Sequence, residues 1–381
     1  MPVAERVGLS SDRLARLARV IKEKYVDSGR MPGVLSQLWR GGELAHTTSI
    51  GSMDIERGKP MREDAIFRLH SMTKPMTAAA VLMLVEEGKV DLSDDVATYI
   101  PSWKDLGVFA GGTKGAFVTV PQKRPMKIID LVTHTSGLTY GFYSQPDIDA
   151  AYREIGVAER DTEGGLDAMI EQLSGLPLEF SPGEAWNYSV STDVLGYLVQ
   201  KISGQSFGEF LRKRLFEPLG MTDTAFHCPA SKVDRLTSRY NFTGDGGLTL
   251  NDDGQNSAYA QPPKLEAGGA GLVSTAGDYM RLCRMLLGGG TLGGLQILSP
   301  KSVALFSLNH LPHNRDIPDF NSGSKVFAEA RWEGIGQSMA CGVTIDVART
   351  RLPALSASSA GVARRRPGSG SIRPRTSPLS S

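Results

Sequence analysis

RLHSMTKPMTAAAVLMLVEEGK, residues 68–89, sets a serine and a lysine three apart at the head of a segment that is apolar on nearly every face. A surface helix carries one apolar stripe, whereas a run apolar all round, as from Met76 to Val85, belongs inside a sizeable domain. The pattern predicts a helix from about Met72 to Glu87, ended at Gly88 by a left-handed residue. Pro75 is tolerated only in a first turn, whose N–H groups have no intrahelical partner, and so fixes the helix start independently. The three-residue spacing then puts Ser71 and Lys74 on one face, within reach of each other. In partly dry surroundings desolvation disfavours an ammonium, and a neutral amine beside a hydroxyl is a general base. A serine so placed can attack an acyl carbon, and the helix N-terminus favours the negative charge that develops there.

With 381 residues, 40% hydrophobic and 22% charged, the chain can bury a core large enough for two lobes. Cys228, Cys283 and Cys341 are odd in number and form no C-x-x-C, which argues against a disulfide framework or a zinc knuckle and fits a reducing, cytoplasmic compartment. The N-terminal MPVAERVGLSSDRLARL mixes charges into its apolar positions, unlike a signal peptide, and no apolar run reaches the roughly 18 residues of a membrane span. The net charge of +1 is unevenly spread, because Arg349 to Ser381 holds seven arginines and neither lysine nor acid, leaving a mildly acidic body and a basic tail. As a tether for nucleic acid, an Arg/Ser/Pro tail lacks the interleaved aromatics of single-strand binders, so no nucleic-acid or membrane partner is expected.

Working outward, Leu14, Leu17, Ala18 and Ile21 recur at helical spacing, and GVLSQLWR and ELAHTTSIG read as strands of a hairpin turning at Gly41 and Gly42. Residues 90–265 read mostly as helices between Gly/Pro loops, after which Ser274 or Thr275 caps another helix and GVTIDV reads as a strand. The expected class is therefore α+β. An antiparallel sheet flanked by helices is built from residues 1–75 and 265–348, and a mainly helical lobe from 76–264. Beyond Ala348 periodicity vanishes, as in disorder.

The second chemical signal is SPGEAWNYSVSTDVLGYLV, residues 181–199, where Tyr188 ends a Pro/Gly loop just before a helix that begins near Ser191. A phenol near an ammonium has its pKa drawn down and can relay a proton. Other candidates fare worse. Ser322 and Lys325 repeat S-x-x-K in a loop with no helix behind it. Ser206 lies in a G-x-S-x-G, but a helix precedes it where a nucleophile elbow needs a strand, and with Glu209 it makes a capping box. His134 before a Ser-Gly turn reads as a local hydrogen-bonder, Trp186 first as packing for the loop and second as a lining of the acyl pocket, and Asp94 and Asp95 as helix-start acids. His310 and His313 lack a third ligand for zinc.

Taken together, SMTK opening an apolar helix, LVTHTSGL at 131–138, SPGEAWNYS before a helix and GGAGLVST at 268–275 resemble the serine β-lactamase-like superfamily. That group contains class C β-lactamases, D-alanyl-D-alanine peptidases and family VIII carboxylesterases, and the likeness runs from about residue 10 to 347. The resemblance implies Ser71 as nucleophile, Lys74 as its base and Tyr188 as proton relay, with no metal or organic cofactor. Its Tyr-x-Asn pattern reads Tyr188, Ser189, Val190 here, which leans toward short-chain carboxylic esters and away from the alternatives, a β-lactam or D-amino peptide. An inactive or ligand-binding relative with a basic tail is the non-enzyme alternative.

The resemblance also implies a late Lys-Thr-Gly, or the Trp-x-Gly of family VIII, and neither is present. That strand supplies one oxyanion N–H, worth roughly 3–4 kcal/mol in the transition state. Residues 357–374, ASSAGVARRRPGSGSIRP, can be encoded by codons that, read from the third nucleotide, spell EFGWGGAASTWFWIDPP, which contains the missing Trp-Gly-Gly. A frameshift after about Thr350 accounts together for the lost acids, the lost periodicity and the lost motif. Resequencing the 3′ end of the gene is expected to find a slip near that codon; an intact frame there contradicts it.

Overall fold

The computed structural model describes residues 2–143, 148–244, 247–320 and 333–351, and the backbone of 359–361 and 369–371. Helix α1 (Ser11–Ile21) is capped by Ser10, whose hydroxyl accepts the Arg13 N–H, and leads into the hairpin β1 (Gly33–Arg40) and β2 (Glu43–Asp54). The two strands pair antiparallel from Gly33↔Gly51 to Arg40↔Glu43, turning at Gly41 and Gly42 with φ 60° and 83°. Two successive positive φ values define the hairpin turn whose twist suits its strands. The short β3 (Lys59–Pro60) extends β2, and β4 (Ile66–Arg68) pairs antiparallel with the distant β5 (Val273–Thr275). That pairing brings the Ser71 segment and the Gly-rich 268–271 stretch side by side.

Helix α2 (Lys74–Glu86) is buried from Lys74 to Leu84, and Gly88 follows its end at φ 66°. Against it pack α5 (Ser191–Ser203) and α6 (Phe207–Leu211), and α3 (Ile128–Val132), α4 (Gly165–Ser174) and α6 pack in turn on α5. Thr275 caps α7 (Ala276–Leu287) by accepting the Asp278 N–H, and α7 lies on β1, where the Arg284 guanidinium covers the Trp39 ring at 4.4 Å. One apolar core runs continuously from Leu69 through α2 and α5 to Met339.

The 76–264 region is not wholly helical. Val108–Thr113 pairs with Ala116–Val120, and Arg239–Phe242 with Leu248–Asp252, as two exposed hairpins. The β-branched FVTV run with Gly115 at φ 82° is the local reason for the first. Near the C-terminus β6 (Ile335–Gln337), β7 (Gly342–Thr344), β8 (Ser359–Gly361) and β9 (Ser369–Ser371) form one antiparallel sheet, with Gly342 opposite Ala360. The backbone of the tail thus runs beside β7 at β8, and β9 in turn pairs with β8; the other tail residues beyond Arg351, and Ser322–Lys325, lie outside the described residues. We propose residues 1–75 with 265–348 as one lobe and 76–264 as the other, with continuous apolar packing between them.

Candidate active site

The α-helix begins at Lys74 and not at Met72: Ser71 occupies a 3₁₀ turn, His70–Thr73, that runs straight into it. In a 3₁₀ turn residues three apart eclipse each other, which lines Ser71 up with Lys74 more closely than α-helical spacing does. His70 holds φ 46°, a left-handed conformation unusual for a residue with a Cβ. Its ring is steadied by Tyr259 edge-on at 6.3 Å and by Arg239, whose Nη1 lies 3.3 Å from Nε2.

Lys74 is 2% exposed. Its Nζ donates to the Gly269 carbonyl at 2.8 Å and lies 3.4 Å from both Ser71 Oγ and Tyr140 Oη, 4.5 Å above the Tyr188 ring centre. The Tyr188 phenol donates to Ser71 Oγ at 2.5 Å. The three residues singled out in the sequence therefore meet at one hydroxyl, Ser71 and Lys74 from the α2 entrance and Tyr188 from the loop before α5.

That loop is held to the 134–139 segment by backbone. The Asn187 N–H donates to His134 O at 2.9 Å and the Val190 N–H to Thr139 O at 3.2 Å, while the Tyr143 hydroxyl donates to the Tyr188 carbonyl. His134 is buried against Tyr188, ring centres 4.7 Å apart, and its Nδ1 accepts the Ser189 N–H at 3.2 Å. Burial, with the Lys74 charge adding to it, holds this imidazole well below its ordinary pKa, so it is neutral and supports the phenol. Val190 is fully buried in the main core and does not line the site.

Above the serine lies a cavity of about 30 Å³, walled by Trp186, Tyr188, Ile317, Gln337 and Cys341. Trp186 is thus a wall as well as loop packing, fixed by its Nε1–H on Gln337 Oε1 at 3.2 Å. Burial pushes the Cys341 thiol up to about 12, so it stays protonated and is no rival nucleophile. Ser206 caps α6 by accepting the Glu209 N–H, while the Glu209 carboxylate turns to Arg212 and Lys213. Asp95 precedes a short 3₁₀ turn, Asp94 accepts the Tyr99 hydroxyl at 2.7 Å, and His310 Nε2 lies 2.9 Å from Leu305 O.

Sequence reasoning missed Tyr140, Asp193 and Gly269 around the amine. Asp193 is the third residue of α5, where an acid reads as a partner of the helix dipole; the signal that was available is GGAG, glycines demanding close approach. A Cβ on Gly269 would stand 2.6 Å from Asp193 Oδ2, and one on Gly268 2.4 Å from Thr192 O.

The fold is β-lactamase/transpeptidase-like, with helices and small antiparallel sheets, and it sets a Ser-x-x-Lys at the head of a buried helix against a tyrosine from a loop. The chain belongs to the beta-lactamase family, whose model matches residues 17–321. It is 35% identical over 325 residues to Protein Rv1367c of Mycobacterium tuberculosis, covering 85% of this chain and 78% of that one. It is 30% identical over 291 residues to Esterase EstB of Burkholderia gladioli, covering 72% and 70%. Among solved structures, EstCE1, described as a hydrolase with promiscuous acyltransferase activity, superposes with TM-score 0.73 at 25% identity, covering 92% of this chain and 87% of that one. The protein is accordingly a serine hydrolase of this family, with small molecules as substrates. No helix among the described residues is long and apolar enough to cross a membrane.

Glu179 supplies a test of how the Tyr188 loop is held. It accepts the Asn187 amide N–H at 2.8 Å, and burial, with Asp149 adding to it, pushes its carboxyl up to about 7. A folded pKa raised above the unfolded value means the native state holds the proton longer, so stability is lost as pH rises from about 4.5 to 7. Urea unfolding of Glu179→Gln across pH 4.5–8 is expected to flatten that decline, gaining on the order of 2 kcal/mol over wild type at pH 8 after allowance for partial exposure. Parallel curves for the two proteins would contradict it.

Proposed function

We propose that the protein hydrolyses short-chain carboxylic esters through an acyl-enzyme on Ser71. The observation that carries the reading is the double contact on Ser71 Oγ, 2.5 Å from the Tyr188 phenol and 3.4 Å from Lys74 Nζ. Lys74 and Tyr188 share the serine proton as its oxygen attacks the acyl carbon, and the Ser71 N–H serves as half of the oxyanion hole. Tyr188 then protonates the departing alkoxide. In the second half, the same pair takes a proton from water as it attacks the acyl carbon and returns that proton to Ser71 Oγ as the acyl–oxygen bond breaks, releasing the acid.

The small size of the cavity supports a short acyl group. About 30 Å³ of space holds roughly one or two waters, and its aromatic walls must part for a longer chain. Transfer of the acyl group to a short alcohol is a second reading, supported by the acyltransferase activity described for EstCE1. The β-lactamase or D-amino peptidase reading has less support, since Val190 stands where the Tyr-x-Asn amide would be. Three unpaired cysteines support a reducing, cytoplasmic setting.

A p-nitrophenyl ester series tests the substrate class. Acetate and butyrate are expected to turn over at least about tenfold faster in kcat/KM than decanoate, with a chromogenic cephalosporin far behind. Ser71→Ala should lose about 10³-fold or more and Tyr188→Phe about 10²–10⁴-fold. Equal rates on ester and cephalosporin, or an active Ser71→Ala, would overturn the proposal.

A further inference from the structure

We propose that Asp193 and Tyr140 are positioning residues that hold Lys74 in place and set the pH at which it can take up the Ser71 proton; the inference rests on the Ser71 and Lys74 reading above. Lys74 is anchored by one carbonyl, Gly269 O at 2.8 Å. Gly269 is itself fixed by Asp193, whose Oδ1 accepts the Gly269 N–H at 2.8 Å. One turn along α2 the Thr77 hydroxyl donates to Gly268 O at 2.7 Å, so α2 and α5 grip the same two-glycine segment from either side. Tyr140 closes the circuit, its Oη 3.4 Å from Lys74 Nζ and 3.5 Å from Asp193 Oδ2. The fit is tight, since a Cβ on Gly269 would meet both the Asp193 carboxylate and the Tyr140 oxygen, the latter at 3.0 Å.

Asp193 is 2% exposed, and burial disfavours its ionised form while the Lys74 charge favours it. Among the described residues, titratable groups that act on Lys74 include Tyr188, His134, Tyr140 and Asp193. Of these, Asp193 is the carboxyl; burial works against its ionised form, the Lys74 charge and the Gly269 N–H work for it, and when ionised it compensates a buried ammonium. Without that charge the amine gives up its proton at lower pH.

The test follows the rate at which an alkyl fluorophosphonate labels Ser71 as a function of pH, a readout that needs no natural substrate. Asp193→Asn keeps the size and an acceptor for the Gly269 N–H but removes the charge. Its acid limb is expected about one pH unit or more below that of wild type, with a plateau lowered up to about tenfold. Tyr140→Phe is expected to shift the limb in the same direction by less, and it decides the matter if Asp193→Asn does not fold. Limbs that superimpose on the wild-type limb in folded variants overturn the inference, whatever the fall in plateau. Failure of the wild-type protein to label at Ser71 would instead overturn the functional reading beneath it.

Discussion

An amine taken almost wholly out of water forfeits its hydration unless polar groups replace the solvent, and an uncompensated buried charge is among the most costly features a fold can carry. Lys74 meets that demand through Gly269 O, Tyr140 Oη and Ser71 Oγ, with the Tyr188 ring beneath its Nζ. Each partner comes from a different part of the chain. The strand pairing of β4 with β5 delivers the glycines, the backbone bonds between 134–139 and 187–190 deliver Tyr188, and α5 delivers Asp193. Much of the fold's long-range order is thus expressed at one nitrogen.

The same arrangement accounts for the reactivity we assign to Ser71. An alcohol is a poor nucleophile until a neighbour can accept its proton, and Ser71 has two neighbours that exchange roles as charge moves. The phenol is the nearer, at 2.5 Å, and the amine both reaches the hydroxyl and lies over the phenol's ring, where it favours a developing phenolate. The neutral His134 packed against Tyr188 fills space without adding a competing positive charge. The strained left-handed His70, first residue of the 3₁₀ turn, and the turn itself aim the serine at the cavity side of the helix start.

What could be read from sequence was whatever local chemistry dictates. Pro75 and the all-round apolar run of α2, the Gly41–Gly42 turn, the cap at Thr275 and the Tyr188 corner before α5 each carry their signal within a few residues. The helix start was read two residues early because Ser71 belongs to a 3₁₀ turn, whose pattern differs little from that of an α-helix over four residues. The two hairpins at 108–120 and 239–252 were lost among helical neighbours, since short exposed strands have weak alternation. Tyr140, Asp193 and Gly269 were illegible for a different reason. Their meaning is set by contacts across 66 residues (Tyr140 to Lys74), 195 (Gly269 to Lys74) and 76 (Asp193 to Gly269), which no local pattern records.

The central claim is that one hydroxyl is made reactive by the Lys74 and Tyr188 pair together. It is tested most directly by mapping, through peptide mass analysis, where a fluorophosphonate attaches in the wild-type protein, in Lys74→Ala and in Tyr188→Phe. The account predicts a single adduct on Ser71, formed at least about a hundredfold more slowly in either variant. An adduct on Ser206 or Cys341, or labelling of Ser71 at an unchanged rate once either partner is removed, would contradict it.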